Sequence, residues 1–458
     1  MATDNNVFYG KTPPLKLFFL VALPGAIGML ASSLYGLFDG IFVGQVLGQT
    51  AFAAVNLAFP FVAINFSLAD LIGVGSAVPI SIALGRRDER AANNYFTCAC
   101  IAIVVLGAAM GLIMWFSAPA LMAMMGAEGE LAEFATAYLR VYAACSPVCT
   151  IVFAADNYLR ICGKIKTSMV LNIAMSAGIL LFELLFLVVF KWGIWASAFA
   201  TCLGLILAAA VAMAPFFFGK RQLKFCKPKF NIKIMSKMVA AGAPNFLSNI
   251  AGRLTAIVFN AVLLAMGGED AVTVYGVIMY VNDIVQPLLY GVCDSLQPAI
   301  GYNYGAAQPM RVKKLTIYIF IAGAVISLIA AVIIFVLPTQ ISSLFLSPQS
   351  ADPADMQNYA NLMEMAGFAM RLFSLTFLTR WFGFAAQSYL TAINKSFFAS
   401  VLSTANALIL PMIFLGILWP LQLTGIWLTF ALTAAAVAIA AAVILIAQRK
   451  KLLPKTED

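Results

Sequence analysis

The chain has 458 residues, of which 63% are hydrophobic and 10% are charged, and its mean hydropathy is +0.95. This composition excludes an ordinary water-soluble domain, in which about half of the residues are apolar and about a quarter are charged. There are 28 Lys and Arg against 19 Asp and Glu, and no histidine. Most of the basic residues that give the net charge of +9 are therefore expected between the apolar segments.

A helix needs about 20 apolar residues to cross a bilayer, so a chain of this length with short loops has room for roughly a dozen crossings. The apolar stretches of the first half predict six spans, at residues 15–42, 52–84, 94–118, 134–160, 166–190 and 193–218. A basic linker at 220–235 is followed by six more, at 236–266, 271–303, 314–337, 359–392, 397–419 and 424–447. We expect an all-α integral membrane protein of twelve transmembrane helices, with lobes at 1–219 and 236–458.

Charged residues are divided unevenly between the two sets of loops. Most Lys and Arg lie in the N-terminus, the even-numbered loops and the C-terminus, whereas the odd-numbered loops hold Lys191 and collect acidic residues such as Glu128 and Glu269. Lys and Arg are retained on the cytoplasmic side of short loops. We therefore predict a multi-pass protein of the inner (plasma) membrane with both termini cytoplasmic. The basic residues are expected to face anionic lipid, and no nucleic acid is expected as a partner.

Neither a leader peptide, a metal site nor a nucleotide site is indicated. The start of the sequence runs into a full-length span without a small-residue cleavage pattern, so we expect the first helix to be retained. The eight cysteines lie mostly within predicted spans, and no histidine accompanies them. Gly163-Lys164 lacks the upstream glycine of a phosphate-binding loop. We expect no cofactor other than a coupling ion, and no enzymatic activity.

Segments of the first half recur in the second. Residues 153–164 reappear as 384–395, and further pairs are Arg140 with Arg371, Gly193 with Gly425, Pro24 with Pro244 and Gly85 with Gly305, at offsets from 220 to 232. Six helices have therefore been duplicated in the same order. Parallel repeats are related by an axis along the membrane normal and form a cleft between two pseudo-symmetric lobes. This architecture is typical of a transporter rather than a channel.

Short motifs occur in several of the predicted spans and in the loops beside them. They include Leu23-Pro24, Leu34-Tyr35, the run from Phe38 to Gly44, Phe59-Pro60, Gly73-Val74-Gly75-Ser76, Gly85-Arg86-Arg87-Asp88, Leu159-Arg160 and the run from Gln297 to Ala306. In their order and spacing they resemble the multidrug and toxic compound extrusion (MATE) transporters, over nearly the whole chain. The resemblance implies a V-shaped pair of six-helix lobes and Na⁺- or H⁺-driven antiport of bulky, often cationic compounds. It also implies that Asp39 and the proline bend at Pro24 act in ion coupling.

The acidic residues within predicted spans include Asp39, Asp70, Asp156, Glu183, Asp283 and Asp294. A carboxylate inside a bilayer costs several kcal/mol, so each is a functional candidate. From a rise of 1.5 Å per residue, Asp39, Glu183 and Thr201 lie at a similar depth toward the outer ends of their spans. Two adjacent carboxylates compete for one proton or bind Na⁺ between them, and Thr201 supplies a neutral oxygen. We predict the ion-coupling site at these three residues.

Two positions depart from the family pattern. Family members usually carry aspartate where this chain has Glu183, and asparagine four residues earlier, where it has Ile179. The lost amide oxygen and the longer Glu side chain favour H⁺ over Na⁺ as the coupling ion. Asp156 stands where asparagine is common and lies nearer the cytoplasmic end. It is predicted to be an inner proton exit, a partner of Arg160, or a further member of the ion-coupling site.

Substrate contacts are predicted in the second lobe. Its carboxylates could meet a cationic substrate or pair with Arg253, Arg371 or Arg380, and its aromatic rings could stack on a cation or simply pack. The predicted substrate-binding residues are Asp283, Asp294, Tyr275, Tyr280, Gln387 and Trp381, with Tyr290, Phe377 and Phe384 as further aromatic candidates.

Together these features predict a secondary active antiporter that exports bulky, cationic organic compounds by alternating access. Its expected partners are the small-molecule substrate and the lipid bilayer, with no obligate protein partner. The alternative is a flippase for a lipid-linked precursor, from the same superfamily. A flippase is expected to line its cleft with several cations for pyrophosphate and to have extra spans, whereas this candidate set is rich in acids.

Overall fold

A computed structural model describes residues 6–218, 222–346, 353–449 and 452–453, and within these ranges the chain is helical without strands. The first lobe contains α1 (Pro14–Leu47), α2 (Gln49–Gly85), α3 (Glu89–Met124), α4 (Gly129–Cys149), α5 (Ile151–Ile161), α6 (Ile165–Glu183) and α7 (Ile194–Phe217). The second contains α8 (Ile232–Ser295), α9 (Gln297–Gly305), α10 (Pro309–Val336), α11 (Pro338–Ser342), α12 (Pro353–Ser374), α13 (Thr376–Ala392), α14 (Ser396–Thr404), α15 (Leu410–Ile417) and α16 (Gln422–Gln448). π-Helical turns occupy Asn6–Lys11, Leu184–Val189 and Ala405–Ile409, and a 3₁₀ turn occupies Trp419–Leu421.

The described helices account for twelve crossings of a membrane. Ten continuous helical segments are long and apolar enough, and Asp355–Ser374 with Thr376–Ala392 forms one more span bent by 41°. The segment Ile232–Gly305 has 74 residues, or about 110 Å, which is far more than one crossing. Its backbone leaves the helical region at Gly268, with φ 66° and ψ −158°, so it consists of two spans. The predicted all-α class is confirmed.

Several helices begin earlier or end later than the apolar pattern predicted. The third span was predicted from residue 94, whereas α3 begins at Glu89 because Asp88 caps it, accepting a hydrogen bond from the backbone N–H of Ala91 at 3.0 Å. The fourth span is divided into α4 and α5 at Thr150, three residues after Pro147. Caps and breaks of this kind use polar and proline residues that hydropathy alone does not register.

The two lobes share one hydrophobic core at one end and have separate cores at the other. We call the first end the basic side, where the loops carry Arg86, Arg87 and Lys164, and the opposite end the acidic side, where they carry Glu128 and Glu269. The shared core includes Leu17, Ile80, Phe96 and Tyr158 of the first lobe and Leu296, Ile300, Val312 and Leu390 of the second. Separate cores surround Val43, Val62, Met114 and Ile194 in the first lobe and Phe259, Ile278, Phe377 and Trp427 in the second. The lobes are therefore packed together on the basic side and separate toward the acidic side.

Glycines allow the lobes to approach closely on the basic side. A Cβ atom added to Gly85 would lie 2.1 Å from the carbonyl oxygen of Tyr302, and one added to Gly305 would lie 2.2 Å from that of Ile82. Tyr302 lies three residues before Gly305, and Ile82 lies three residues before Gly85, so the contact between the two helices is reciprocal. Gly85 and Gly305 are the pair that the sequence repeat relates, and the structure places them opposite each other across the junction.

The N-terminal turn crosses the same junction. Tyr9 is 1% exposed, and its hydroxyl donates to the carbonyl oxygen of Arg160 in the first lobe. Its own carbonyl accepts hydrogen bonds from Nδ2 of Asn303 at 3.1 Å and from Nη2 of Arg311 at 2.7 Å, both in the second lobe. Residues 6–11 therefore bind both lobes at once.

Candidate functional site

Three helices of the first lobe bring Asp39, Glu183 and Thr201 together. Asp39 lies on α1, Glu183 is the last residue of α6, and Thr201 lies on α7. The carboxyl group of Glu183 faces both the carboxyl group of Asp39 and the hydroxyl of Thr201. Glu183 precedes the π-helical turn Leu184–Val189, an irregularity that is frequent at functional sites. The common depth expected from helical rise is thus matched by direct proximity.

Three of the four oxygens of the two carboxyl groups are buried without a hydrogen bond from the described residues. Oδ1 of Asp39 and both carboxyl oxygens of Glu183 are buried without a donor, and the Glu183 residue is 0% exposed. Buried polar atoms are normally paired, because an unpaired one costs about 1–3 kcal/mol. A proton shared by the pair, or a cation between them, supplies the missing partner.

Tyrosines that were not predicted as site residues surround this pair. Tyr35 lies one helical turn before Asp39 on α1, and its hydroxyl is 2.9 Å from Oγ1 of Thr201. Tyr138 and Tyr142 of α4 are 1% and 3% exposed, with ring centroids 5.2 Å apart, and Tyr138 lies within electrostatic range of Asp39. Tyr35 and Asp39 are four residues apart and therefore lie on one face of the helix. This spacing is the feature of the sequence from which Tyr35 could have been predicted as a site residue.

Ile179 fills the position where a family member would have an amide. It is 0% exposed and lies one turn before Glu183 on α6. A Cβ atom added to Gly204 of α7 would lie 2.2 Å from Cγ1 of Ile179. The missing side chain of Gly204 thus provides the space for Ile179, and this face of the site offers packing instead of an oxygen ligand.

Asp156 makes its contacts with residues other than Asp39 and Glu183. Its Oδ2 forms an ion pair with Nη2 of Arg160 at 2.7 Å, and its Oδ1 accepts hydrogen bonds from Oγ of Ser168 and, at 3.0 Å, from Nδ2 of Asn172. Nη1 of Arg160 donates to Oγ of Ser295 in the second lobe at 3.0 Å. Of the three interpretations, the pairing with Arg160 is the one observed, because these donors already satisfy the carboxylate on the basic side.

Asp283 and Asp294 do not form ion pairs with Arg253, Arg371 or Arg380, which were one of the two predicted alternatives for them. Among the described residues the Asp156–Arg160 pair is the sole salt bridge. Oδ1 of Asp294 accepts a hydrogen bond from Nε2 of Gln297 at 2.7 Å, beside Ser388, within the junction between the lobes. Asp283 is exposed, and its backbone carbonyl accepts a hydrogen bond from Oγ of Ser33 at 2.6 Å.

Three of the predicted aromatic residues pack against other rings. Tyr275 is buried with its ring centroid 6.1 Å from Phe259 and 6.2 Å from Phe430. Tyr280, 47% exposed, stacks on Phe345 at 5.4 Å. Nε1 of Trp381 donates to the carbonyl of Leu378 at 2.9 Å, and its ring contacts Phe320 and Phe382. For these three the packing interpretation describes the observed contacts.

Gln387, by contrast, lines a cavity inside the second lobe. The cavity is small, with a volume of about 20 Å³, and its other lining residues include Gln286, Tyr290, Arg380, Phe384 and Asn406. Arg380, which the sequence suggested only as a partner for an acid, is the one charged residue among its described lining residues. No group of His, Cys, Asp or Glu in the described ranges is arranged to hold a metal ion.

Known proteins share this sequence pattern and this fold. The sequence profile of the family described as MatE matches residues 24–182 and 244–417. The multidrug export protein MepA of Staphylococcus aureus is 24% identical over 434 residues, covering 92% of this chain and 93% of its own length. A multidrug resistance MATE family transporter of the MOP superfamily, in an outward-facing conformation, superimposes with a TM-score of 0.89 at 23% identity, covering 99% and 98% of the two chains. A MOP superfamily transporter from Pyrococcus furiosus, whose reverse polarity of binding pocket suggests a different function, gives 0.89 at 22% identity with the same coverage.

Proposed function

Because this chain belongs to the MatE family and is therefore a multi-pass membrane transporter and not an enzyme, we propose that it exports bulky organic cations in exchange for H⁺. Multidrug export by the similar MepA protein supports the direction and the substrate class. The basic side is then cytoplasmic, as the loop charges favour, and the protein lies in the inner membrane.

The observation that carries this proposal is the buried pair of Asp39 and Glu183, facing each other without a donor. One proton converts one of the two carboxylates into a carboxylic acid, which can donate a hydrogen bond to the other. H⁺ is favoured over Na⁺, because Ile179 occupies the position of an amide ligand and leaves fewer oxygens for a metal cation.

The arrangement of the lobes supports the proposal of alternating access. Their packing on the basic side and separation toward the acidic side correspond to a state that opens outward. In the proposed cycle, a proton from the outside protonates one carboxylate of the pair and so lowers the charge of the pair from two negative charges to one, α1 bends at Pro24, and the substrate leaves. Proline deletes one helix hydrogen bond and so provides a point of bending. One inward proton contributes about 2.3 kcal/mol per 100 mV.

The proposal is tested by dye transport in proteoliposomes with an imposed proton gradient. We expect Asp39→Asn and Glu183→Gln each to abolish gradient-driven transport, because each removes one member of the pair. Glu133→Gln changes an exposed acidic residue on α4 and should transport normally. Replacing Na⁺ by K⁺ should leave the wild-type rate unchanged. Full activity of Asp39→Asn, or loss of transport without Na⁺, would contradict H⁺ coupling at this site.

The flippase alternative has less support. Several cations would be expected around a pyrophosphate, whereas Arg380 alone is charged among the described residues that line the second-lobe cavity. Translocation of a fluorescent lipid-linked precursor without saturable dye transport would favour the flippase instead.

A further inference from the structure

A pocket lies at the junction of the two lobes on the basic side. Its described lining comes from α2, α3 and the loop between them in the first lobe, and from α8, α9 and the loop before α14 in the second. Its volume is about 470 Å³, whereas one water needs only about 10–15 Å³, so a phosphate group and part of the molecule that carries it fit inside. Ile82, whose carbonyl oxygen packs against Gly305, belongs to this lining. The pocket therefore borders a close contact between the lobes.

The sequence repeat relates this pocket to the place where the N-terminal turn is bound. We call Tyr302, Asn303 and Arg311, which hold Tyr9, the seat of that turn. The carbonyl of Tyr9 accepts hydrogen bonds from Asn303 and Arg311, and its ring centroid is 5.8 Å from that of Tyr302. The counterparts of these three residues in the first lobe, 220 residues earlier, all line the pocket and are Ile82, Ala83 and Ala91. The pocket is therefore the pseudo-symmetric equivalent of the seat.

Backbone geometry supports this equivalence. Arg87 and Ala307, which are also 220 residues apart, both have a positive φ, of 61° and 53°. The chain therefore turns in the same way beside the pocket and beside the seat. The charges differ, because the pocket has basic residues at 86 and 237, whereas the corresponding positions near the seat are apolar, namely Ala306 and Leu17. The seat binds a segment of the chain itself, and the pocket offers positive charge to a separate ligand.

Three basic side chains line the pocket, and they come from both lobes. Arg86 belongs to the first lobe, and Lys237 and Lys395 belong to the second. None of the three forms a salt bridge with a described residue. Asp88 is the one acid among the described lining residues, and its carboxylate caps α3. Positive charge therefore outweighs negative charge in the lining, which attracts an anion.

The helix that begins at the pocket adds hydrogen-bond donors. α14 begins at Ser396, directly after Lys395, and no side chain caps its N-terminus. Oγ of Ser396 has no hydrogen-bond partner among the described residues, although the residue is only 7% exposed. The N–H groups of a first helical turn have no partner within the helix and readily bind phosphate. These donors lie next to a lysine that supplies part of the charge.

We propose that this pocket binds a phosphate group, of a lipid headgroup or of a soluble metabolite, through Arg86, Lys237 and Lys395. Basic pockets between transmembrane helices on the cytoplasmic side are suited to phosphate head groups. A ligand held by both lobes favours the state in which they are packed together on the basic side. This effect on the transport cycle rests on the proposed alternating access, whereas the binding does not. Because the lining lies in loops and helix ends of the basic side, apart from the Asp39–Glu183 pair, the ligand acts as a regulator and not as exported cargo.

Titration of the purified full-length protein in a neutral detergent tests this site, with calorimetry as the readout at constant salt. The probes are inorganic pyrophosphate and short-chain phosphatidylglycerol. We expect Arg86→Gln and Lys237→Gln, one on each lobe, each to weaken binding at least about ten-fold, because each removes a charge-assisted contact to phosphate. Lys314→Gln neutralises an exposed lysine of the basic side outside the described lining and should bind like the wild type.

A substitution that changes no charge separates the pocket from the basic surface around it. Ala91→Phe keeps all three cations but fills space beside them, so it should also weaken binding of the same probe at least about ten-fold. Its melting temperature without a probe shows whether the variant is folded. Arg86→Gln and Lys237→Gln change exposed side chains and carry the test if Ala91→Phe is unstable.

The two probes distinguish the sources of the phosphate. Binding of phosphatidylglycerol but not of phosphatidylcholine assigns the site to a lipid headgroup, and binding of pyrophosphate alone assigns it to a soluble compound. The proposal is overturned if neither probe binds, if phosphatidylcholine binds as tightly as phosphatidylglycerol, or if folded Ala91→Phe binds like the wild type. It is also overturned if Arg86→Gln and Lys237→Gln weaken binding no more than Lys314→Gln does. Titration needs neither a gradient nor a transported substrate, so a failure of proton-driven export leaves this result readable.

Discussion

Asp156 and Glu183 show how different two acidic residues in neighbouring spans can be. Asp156 has an arginine and two neutral donors, whereas Glu183 faces another carboxyl group without a donor. In the sequence each is an acid within an apolar span, but Asp156 has a basic residue, Arg160, one helical turn away and Glu183 has none. Asp156 is occupied by Arg160 on its own helix and by Ser168 and Asn172 on α6. Whether a carboxylate is free to bind a transported ion therefore depends on the residues of the neighbouring helix.

The Asp156–Arg160 pair is expected to contribute to stability rather than to coupling. Removing one member of a buried ion pair costs about 3–5 kcal/mol, because the other charge stays buried, whereas removing both costs less. Asp156→Asn and Arg160→Gln should therefore each lower the melting temperature in detergent, and the double variant should lose clearly less than the sum. Glu130→Gln, on an exposed acidic residue, should melt like the wild type. Additive losses would show that the two residues do not act as a pair.

At the scale of helices, the close approach of α2 and α8 depends on the absence of a side chain. A Cβ atom on Gly242 would lie 1.9 Å from the carbonyl oxygen of Leu71, whereas one on Gly252 of the same helix would have nothing within 4 Å. The apolar pattern identified both glycines only as parts of a span. Their different roles follow from the neighbouring helix.

These two glycines give a matched pair of substitutions. Gly242→Ala should force α2 and α8 apart and destabilise the protein by about 1–3 kcal/mol, the usual cost of overpacking. Gly252→Ala meets no atom and should be neutral or slightly stabilising, because alanine favours a helix over glycine. Melting temperatures in detergent measure both. Equal temperatures for the two variants would contradict the close packing of the lobes at Gly242.

At the scale of the whole molecule, the N-terminal turn should favour the state in which the basic side is closed. Tyr9→Phe removes its hydrogen bond to Arg160 and leaves the contacts of its backbone carbonyl to the second lobe. A hydrogen bond worth about 1 kcal/mol corresponds to a roughly five-fold shift in a two-state ratio.

Spin labels at Arg90 and Lys314, exposed on opposite lobes of the basic side, would report this shift as a larger population of long distances. The labels require a background in which the native cysteines are replaced. Tyr280→Phe, at an exposed ring toward the acidic side, should leave the distances unchanged. An unchanged distribution in Tyr9→Phe would mean that its hydroxyl does not hold the lobes together.

The sequence by itself determined the all-α fold, the twelve spans, the duplicated lobes and the family, because these depend on the composition and order of apolar segments and motifs. It also indicated Asp39, Glu183 and Thr201, since helical rise alone sets depth in a membrane. The tertiary structure decided which groups meet: Asp156 with Asn172, Tyr35 with Thr201, and Arg380 with the amide of Asn282. Depth along one helix follows from residue number, whereas contact also depends on how neighbouring helices are rotated and bent. Those rotations are set by packing between residues far apart in the chain.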